Sequence, residues 1–573
     1  MHQGLEEEET TGLSRQGRQS GLRVGGCYRP CRLGLPPRIC HYQFELENYV
    51  TMGDACGDCP SNRTACFEPQ CITGDGYEKA VLTVNRKIPG PAIHVCRGDI
   101  VVVDVHNKMA DRATSIHWHG VLQKETPHSD GVPQVTQCAI TPGATFRYVF
   151  KATLGGTHFW HSHDGLQKMD GLVGNMVVRV PSEEDPNRSQ YDTDFREHVI
   201  LITDWLHDLT DERFPGLRRR LPSEQHMPDA FLLNGLGRYR DPITRMSTGT
   251  PLWTAKVFVG VRHKFRAVGV IHYVSRASLS ALENDKEPIT AVPISGFMPE
   301  NGKAISSLEG ICNTNSSNIC TSVLQFLPSE VGPRVPSFSL PPTQQPFRFV
   351  IPFGFQIFSN EELFRSKAYY RYFRPSITLS ATVNNMSMVL PPSPPLSQLE
   401  DIPERDFCPP NNYGINPLQL GGGGMPYREC FHMIRIPLDA LVEVLIHPEG
   451  TPVALSHPFH LHGYDFQVLR QGLLNDTSRN SISDIQNSFF SGKMQEKPDS
   501  LIPPLKDTVV IPPLGFAVIR FRANNPGFWF FHCHYAFHLA TGMAIVIQVG
   551  EPSDFVPTPL GFPTCGNYVP RLV

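Results

Sequence analysis

The sequence predicts an all-β protein made of several Greek-key sandwiches or barrels, and three observations predict it. Short β-type runs separated by Gly/Pro turns recur from about residue 80 to the C-terminal end, the pattern of sandwiches and barrels. No long amphipathic helical stretch interrupts them. The 52 prolines and 47 glycines favour loops and strands over helices. At about 150 residues per domain, 573 residues give three or four domains.

Taken in order, residues 1–26 are polar and expected to be disordered. Residues 27–71 hold seven of the 15 cysteines, Cys27, Cys31, Cys40, Cys56, Cys59, Cys66 and Cys71. This segment reads as a small stapled appendage, because Cys56 and Cys59 followed by Cys66 and Cys71 lack clean zinc-ribbon spacing. The strands then begin with AVLTVN and continue through DIVVVDV, FRYVF (146–150) and NMVVRV (175–180). VPSEEDPN at 180–187 closes that unit. FAVIRFRA (516–523) and MAIVIQV (543–549) repeat the style near the other end. Residues 389–415 and the glycine run 421–424 read as a long connection inside the last unit.

Charge and composition exclude some functions. With 51 basic and 55 acidic residues the net charge is −4, so no field of one sign points to nucleic acid or an acidic membrane surface. No run is long and apolar enough for a transmembrane helix. Fourteen cysteines remain if Cys533 is reserved for chemistry, and they can pair completely. Sequons at Asn62, Asn187, Asn315, Asn385 and Asn475 are compatible with the secretory pathway. An extracellular protein is therefore expected, although MHQGLEEEETTGLSRQGRQSG carries no apolar signal-peptide core.

The chemistry lies in four H-x-H pairs: His117/His119 in IHWHG, His161/His163 in HFWHSHDG, His460/His462 in HPFHLHG, and His532/His534 in FHCHYAFH. Residues two apart on a strand share a face, so each pair presents two imidazoles together. Eight imidazoles exceed one zinc ion, whose sites close at four ligands; they suit several metals held between two domains. The same rule sends Cys533 to the face opposite His532 and His534. There it starts a second pattern with His538 and Met543, and His457 is the candidate second imidazole. Thiolate, two imidazoles and a weak thioether are the ligand set of a blue-copper site. The other thirteen histidines read as surface or core residues, and a mixed zinc or structural histidine cluster is the competing interpretation.

These motifs resemble the multicopper oxidases, and within them the arthropod-type laccases. SDGVPQVTQC, LITDWLHD, FLLNGLGRYRDP, PPLKDT and NNPGFWFFHCH add to the similarity, which covers roughly residues 27–250 and 346–566. The resemblance implies three cupredoxin-like domains with a metal cluster between the first and third. The expected division is 1–26, the Cys-rich 27–71, then domains at 72–181, 182–345 and 346–573. It also implies four copper ions. His457, Cys533, His538 and axial Met543 would hold the type 1 ion, and His117 and His460 the type 2 ion. His119, His161 and His534 would hold one type 3 ion; His163, His462 and His532 would hold the other. Asp130 would assist proton delivery. The implied reaction is one-electron oxidation of diphenols by dioxygen, as in cuticle tanning or phenol detoxification, with ferroxidase and ascorbate oxidase chemistry as alternatives.

Two departures stand out. Tyr535, Ala536 and Phe537 occupy a tripeptide where many relatives carry an acid. The middle of the chain is also short: VFVGVRHKFRAVGVIHYV joins an early strand of the second domain to a late one. A deletion, a spliced form and a gene-model error are open at this point, as is a non-catalytic, copper-binding truncated product.

Overall fold

The computed structural model describes residues 27–185, 187–213, 228–258, 261–270, 304–305, 320–321, 345–359, 377–409, 427–449, 455–474, 481–494 and 503–567. The first unit contains β1 (Ile39–Val50), β2 (Ala80–Val84), β3 (Ile93–Cys96), β4 (Ile100–Asn107), β5 (Ile116–His119), β6 (Thr145–Lys151), β7 (Gly156–Ser162) and β8 (Val173–Arg179). They form two four-stranded sheets, ordered β2-β1-β4-β6 and β3-β8-β7-β5. β6 alternates buried and exposed residues and β4 buried and partly buried ones, as a sheet covered on one side requires. Between the sheets lie Phe44, Val101, Val103, Trp118, Tyr148, Phe150, Trp160 and Met176.

One expectation about this unit is corrected. Residues 39–50 do not belong to a separate appendage; they form β1, paired antiparallel with β2 and in parallel with β4 from Ile39↔Ile100 to Leu46↔Asn107. Cys40, Phe44 and Leu46 point into the core while the polar residues between them face outward. The disulfides Cys27–Cys40 and Cys31–Cys96 fasten the preceding segment to β1 and β3. Cys56–Cys71 and Cys59–Cys66 staple the following loop on itself.

In the middle of the chain, β9 (Val199–Trp205), β10 (Ala230–Leu233) and β11 (Arg266–Val270) make a sheet ordered β10-β9-β11, with β11 parallel to β9. Trp205, Ala230 and Leu232 pack with Val81 of the first unit. Two further short strands, β12 (Ala304–Ile305) and β13 (Cys320–Thr321), pair in parallel. Most of the stretch expected to be shortened lies outside the described residues.

The last unit holds β14 (Phe347–Ser359), β15 (Ile377–Val383), β16 (Met386–Met388), β17 (Arg428–Cys430), β18 (Met433–Ile436), β19 (Leu441–Pro448), β20 (His457–Leu461), β21 (Phe466–Leu473), β22 (Leu505–Lys506), β23 (Thr508–Ile511), β24 (Gly515–Arg522), β25 (Gly527–Cys533) and β26 (Ala544–Val549). An eight-stranded sheet, β17-β16-β15-β14-β19-β24-β21-β22, faces a five-stranded one, β18-β26-β25-β20-β23. Their shared core includes Phe349, Ile351, Phe353, Val444, Phe459, Phe521, Phe531 and Ile545, joined by Leu166 and Met169 from the first unit and by Leu206. No helix among the described residues is long and apolar enough to cross a membrane.

The first and last units are also linked covalently by Cys138–Cys565, across 427 residues of sequence. A crosslink over so long a loop restricts the unfolded chain strongly. The double variant Cys138→Ser/Cys565→Ser is expected to lose about 2–5 kcal/mol of stability. Urea unfolding followed by fluorescence checks this, and an unchanged midpoint would refute it.

Candidate metal centre

Strand register gathers the histidines. β5 pairs with β7 so that His117 stands opposite His161, and β20 pairs with β25 so that His460 stands opposite His532. His119 and His462 share the faces of His117 and His460 by the two-residue period. On the reverse faces, Trp118 and Trp160 fill the first core, while Phe459, Leu461, Phe531 and Cys533 fill the last. His163 and His534 lie just past the ends of β7 and β25. Their backbone N–H groups donate to the carbonyls of Ser115 (3.2 Å) and Pro458 (2.6 Å). Seven of the eight imidazoles are buried at the seam between the two units, and His534 is partly buried there.

Hydrogen bonding determines which nitrogen each ring offers. Nδ1 of His117 lies 2.7 Å from the Asp130 carbonyl, Nδ1 of His161 2.8 Å from that of Ser162, Nδ1 of His460 2.9 Å from that of Asp507 and Nδ1 of His532 3.0 Å from that of Cys533. A carbonyl only accepts, so these Nδ1 atoms carry the hydrogen and their Nε2 atoms keep lone pairs. Nδ1 of His462 likewise donates to the Asp130 carboxylate at 2.8 Å. Yet Nε2 of His460 faces Nε2 of His117 at 3.4 Å, and Nε2 of His462 faces Nε2 of His532 at 3.2 Å. Acceptor facing acceptor is repulsive unless a cation lies between them. Nε2 of His161, His163 and His534 has no hydrogen-bond partner although buried.

His119 is turned the other way. Its Nε2 meets the Asp507 carboxylate at 3.3 Å, leaving a buried Nδ1 without a partner. Burial holds the imidazoles of His161, His163, His460, His462, His532 and His534 well below their ordinary range, so the rings are neutral donors of lone pairs. Donor atoms lying within 4.8 Å of one another include the sets His163/His462/His532, His117/His460/His462 and His117/His119/His161. His119, His161 and His534 meet with ring centroids 4.9–6.1 Å apart.

The second group forms on the core side of β25. Cys533 Sγ lies 3.8 Å from His457 Nδ1 and 3.6 Å from His538 Nδ1, all three buried. The Cys533 N–H donates to the Met543 carbonyl at 3.0 Å, and the Met543 N–H to the His538 carbonyl at 3.0 Å, so one turn ties the three positions together. Gly542 makes this turn possible: its φ is +106°, and a Cβ there would strike the Ser387 hydroxyl. Met543 is fully buried. Burial brings His457 to about 3 and pushes the Cys533 thiol up to about 12. Phe353 and Phe355 lie against the two imidazoles, the first 4.6 Å from His457 and the second 5.0 Å from His538 between ring centroids. Tyr535 covers His538 at 4.3 Å.

Asp130 sits beneath the histidine cluster, wholly buried, with Oδ2 at His462 and Oδ1 3.3 Å from His117 Nδ1. Gly131 allows this, because a Cβ would overlap the Ile116 carbonyl on β5. Sequence reasoning missed two neighbours. Asp507 was visible only as part of PPLKDT; its carboxyl is held well below the usual range, with His119 and His460 overcoming the opposing effect of burial. Lys168, in the turn after HFWHSH, is buried, and burial brings its ammonium down to about 8. Nothing in its spacing marked it.

The neutral imidazoles, the paired lone-pair nitrogens and the thiol with two imidazoles and a methionine fit copper better than zinc, which has no use for a redox-poised thiolate. Fold and site together define an all-β protein with one histidine-rich metal cluster at a domain seam and one thiolate site joined to it. Residues 67–183 match a family model described as multicopper oxidase, and residues 391–553 match a second with the same description. The chain belongs to the multicopper oxidase family, whose members are copper oxidoreductases. It is 28% identical to an L-ascorbate oxidase of Cucumis sativus, over 90% of this chain and 89% of that one. It is 27% identical to Laccase-2 of Botryotinia fuckeliana, covering 87% and 84%. The fold resembles laccase from Botrytis aclada (TM-score 0.56, 22% identity, 92% and 90% covered) and Fet3p, a multicopper oxidase that functions in iron import (0.51, 19%, 90% and 91%).

Proposed function

We propose that this chain is a laccase-type oxidase acting outside the cell, removing single electrons from diphenols and reducing dioxygen to water. The observation that carries the reading is the pair of facing Nε2 atoms, His460 to His117 and His462 to His532, directly behind a buried thiol with two imidazoles. His457, Cys533, His538 and Met543 would hold a type 1 copper. His117 and His460 would hold the type 2 ion, His119, His161 and His534 one type 3 ion, and His163, His462 and His532 the other. When bound, copper supplies one-electron exchange at the thiolate site and dioxygen reduction at the cluster.

The chain's own part follows from its geometry. Cys533 shares a backbone with His532 and His534, so the two sites are joined by peptide bonds alone. Phe353 and Phe355 exclude water from the His457 and His538 rings. The partly exposed Phe355 beside His538 favours an aromatic donor over a hydrated cation. Asp130 accepts the Nδ1 hydrogen of His462 and holds that ring's orientation and tautomer. Asp130→Asn, which keeps the size but removes the charge, is expected to lower turnover about 10–100-fold. Oxygen-uptake rates at saturating hydroquinone decide this, and an unchanged rate would refute it.

Oxygen uptake by the purified, copper-loaded chain with hydroquinone, ascorbate and Fe(II) in parallel tests the function. Faster uptake with hydroquinone supports the proposal. Preference for ascorbate would favour the second reading, suggested by the L-ascorbate oxidases that match over nine-tenths of the chain, and preference for Fe(II) would overturn both. Uptake with none would point to a non-catalytic product.

A further inference from the structure

Lys168 has no role in the reading so far. It lies in the short turn Gln167–Asp170 that follows β7, and both neighbours in that turn are anchored. Gln167 accepts from Ser162 Oγ at 2.9 Å and donates to the Ala113 carbonyl at 2.7 Å. Asp170 accepts from the backbone and hydroxyl of Thr210 at 2.9 and 2.5 Å. Leu166 and Met169 pack into the core of the last unit. The lysine between them is thus carried into an apolar seam, with 7% of its surface exposed.

Its ammonium makes one hydrogen bond, to the His534 carbonyl at 3.3 Å, and no carboxylate pairs with it among the described residues. A buried ammonium without a counter-charge is costly, so the position calls for an anionic partner nearby. His534 immediately follows Cys533, so an ammonium bound to the His534 carbonyl stands next to the residue that carries the sulfur. A thiolate at Cys533, which a bound metal produces, is a negative group in the residue next to the carbonyl that the ammonium binds.

We propose that Lys168 is a positioning residue for the His532–Cys533–His534 tripeptide. Its ammonium fixes the His534 carbonyl and sets a positive charge beside the Cys533 sulfur, raising the reduction potential of a copper held there. The inference rests on the copper reading given above. A nearby cation favours the state with the extra electron, because reduction adds negative charge to the copper–thiolate unit.

Three variants of the full, copper-loaded chain separate the contributions: Lys168→Met removes charge and hydrogen bond, Lys168→Gln keeps a donor without charge, and Lys168→Arg keeps the charge. Equilibrium titration of the blue absorption with a ferrocyanide/ferricyanide couple reads the potential directly. The Met and Gln variants are expected to shift the reduction equilibrium at least tenfold towards the oxidised form, about 59 mV for one electron, with Arg close to the parent. Parent-like equilibria in Met and Gln, or an equal shift in all three, would overturn the proposal. If the neutral variants lose the blue band while Arg keeps it, the charge is required by the site and the proposal stands. Loss of the band in all three would show that only the shape of lysine is tolerated and would overturn it. A parent chain with copper bound but no blue band would instead sink the copper reading itself.

Discussion

Replacing Cys533 with serine is expected to abolish both the intense visible absorption of the copper-loaded protein and its oxygen uptake with any one-electron donor. The sulfur is the only free thiol among the described residues and is fully buried. It lies within 4 Å of two imidazole nitrogens, a set in which the thiolate supplies both the colour and the soft ligand that suits copper. A serine hydroxyl is harder, shorter and far less acidic. The histidine cluster should survive, because its donors come from the opposite face of β25 and from three other strand ends. Copper analysis should therefore show a loss of one ion per chain while the visible spectrum goes blank. A serine variant that kept the blue band, or that lost every copper, would contradict this division into two sites.

Acid is expected to unfold the metal-free chain at unusually mild pH. Burial holds many imidazoles below their ordinary range, among them those of His161, His163, His460, His462, His532 and His534, and that of His457, at about 3. In the unfolded chain each titrates near 6.5. Below that pH the unfolded chain binds more protons than the folded one. The stabilisation is therefore fully present above about 6.5 and is lost as pH falls towards the folded values. Each such group adds a slope of about 1.4 kcal/mol per pH unit. Three of them over two units remove about 8 kcal/mol, comparable with the whole stability of a domain at about 5–15 kcal/mol. Urea midpoints of the metal-free protein between pH 7.5 and 4.5 should fall steeply below 6.5. A flat profile would show that the cluster is not closed to water as the structure has it.

The sequence by itself determined the all-β class and the ligand chemistry. Alternation along FRYVF and the Gly/Pro punctuation are local signals, and the period of two puts His532 and Cys533 on opposite faces without any knowledge of their surroundings. β1 escaped that reading because only Cys40, Phe44 and Leu46 of its twelve residues lie fully buried, and the nearby cysteines drew the segment into an appendage. Its partner β4 begins 50 residues after β1 itself ends, so nothing local reveals the parallel pairing. The tertiary structure alone decided which nitrogen each imidazole offers, because that depends on carbonyls and carboxylates brought from elsewhere in the chain. Asp507 and Lys168 belong to the same class. Each is an ordinary charged residue in sequence, and each acquires meaning only when folding places it beside His119 or His534, where its charge acts at short range.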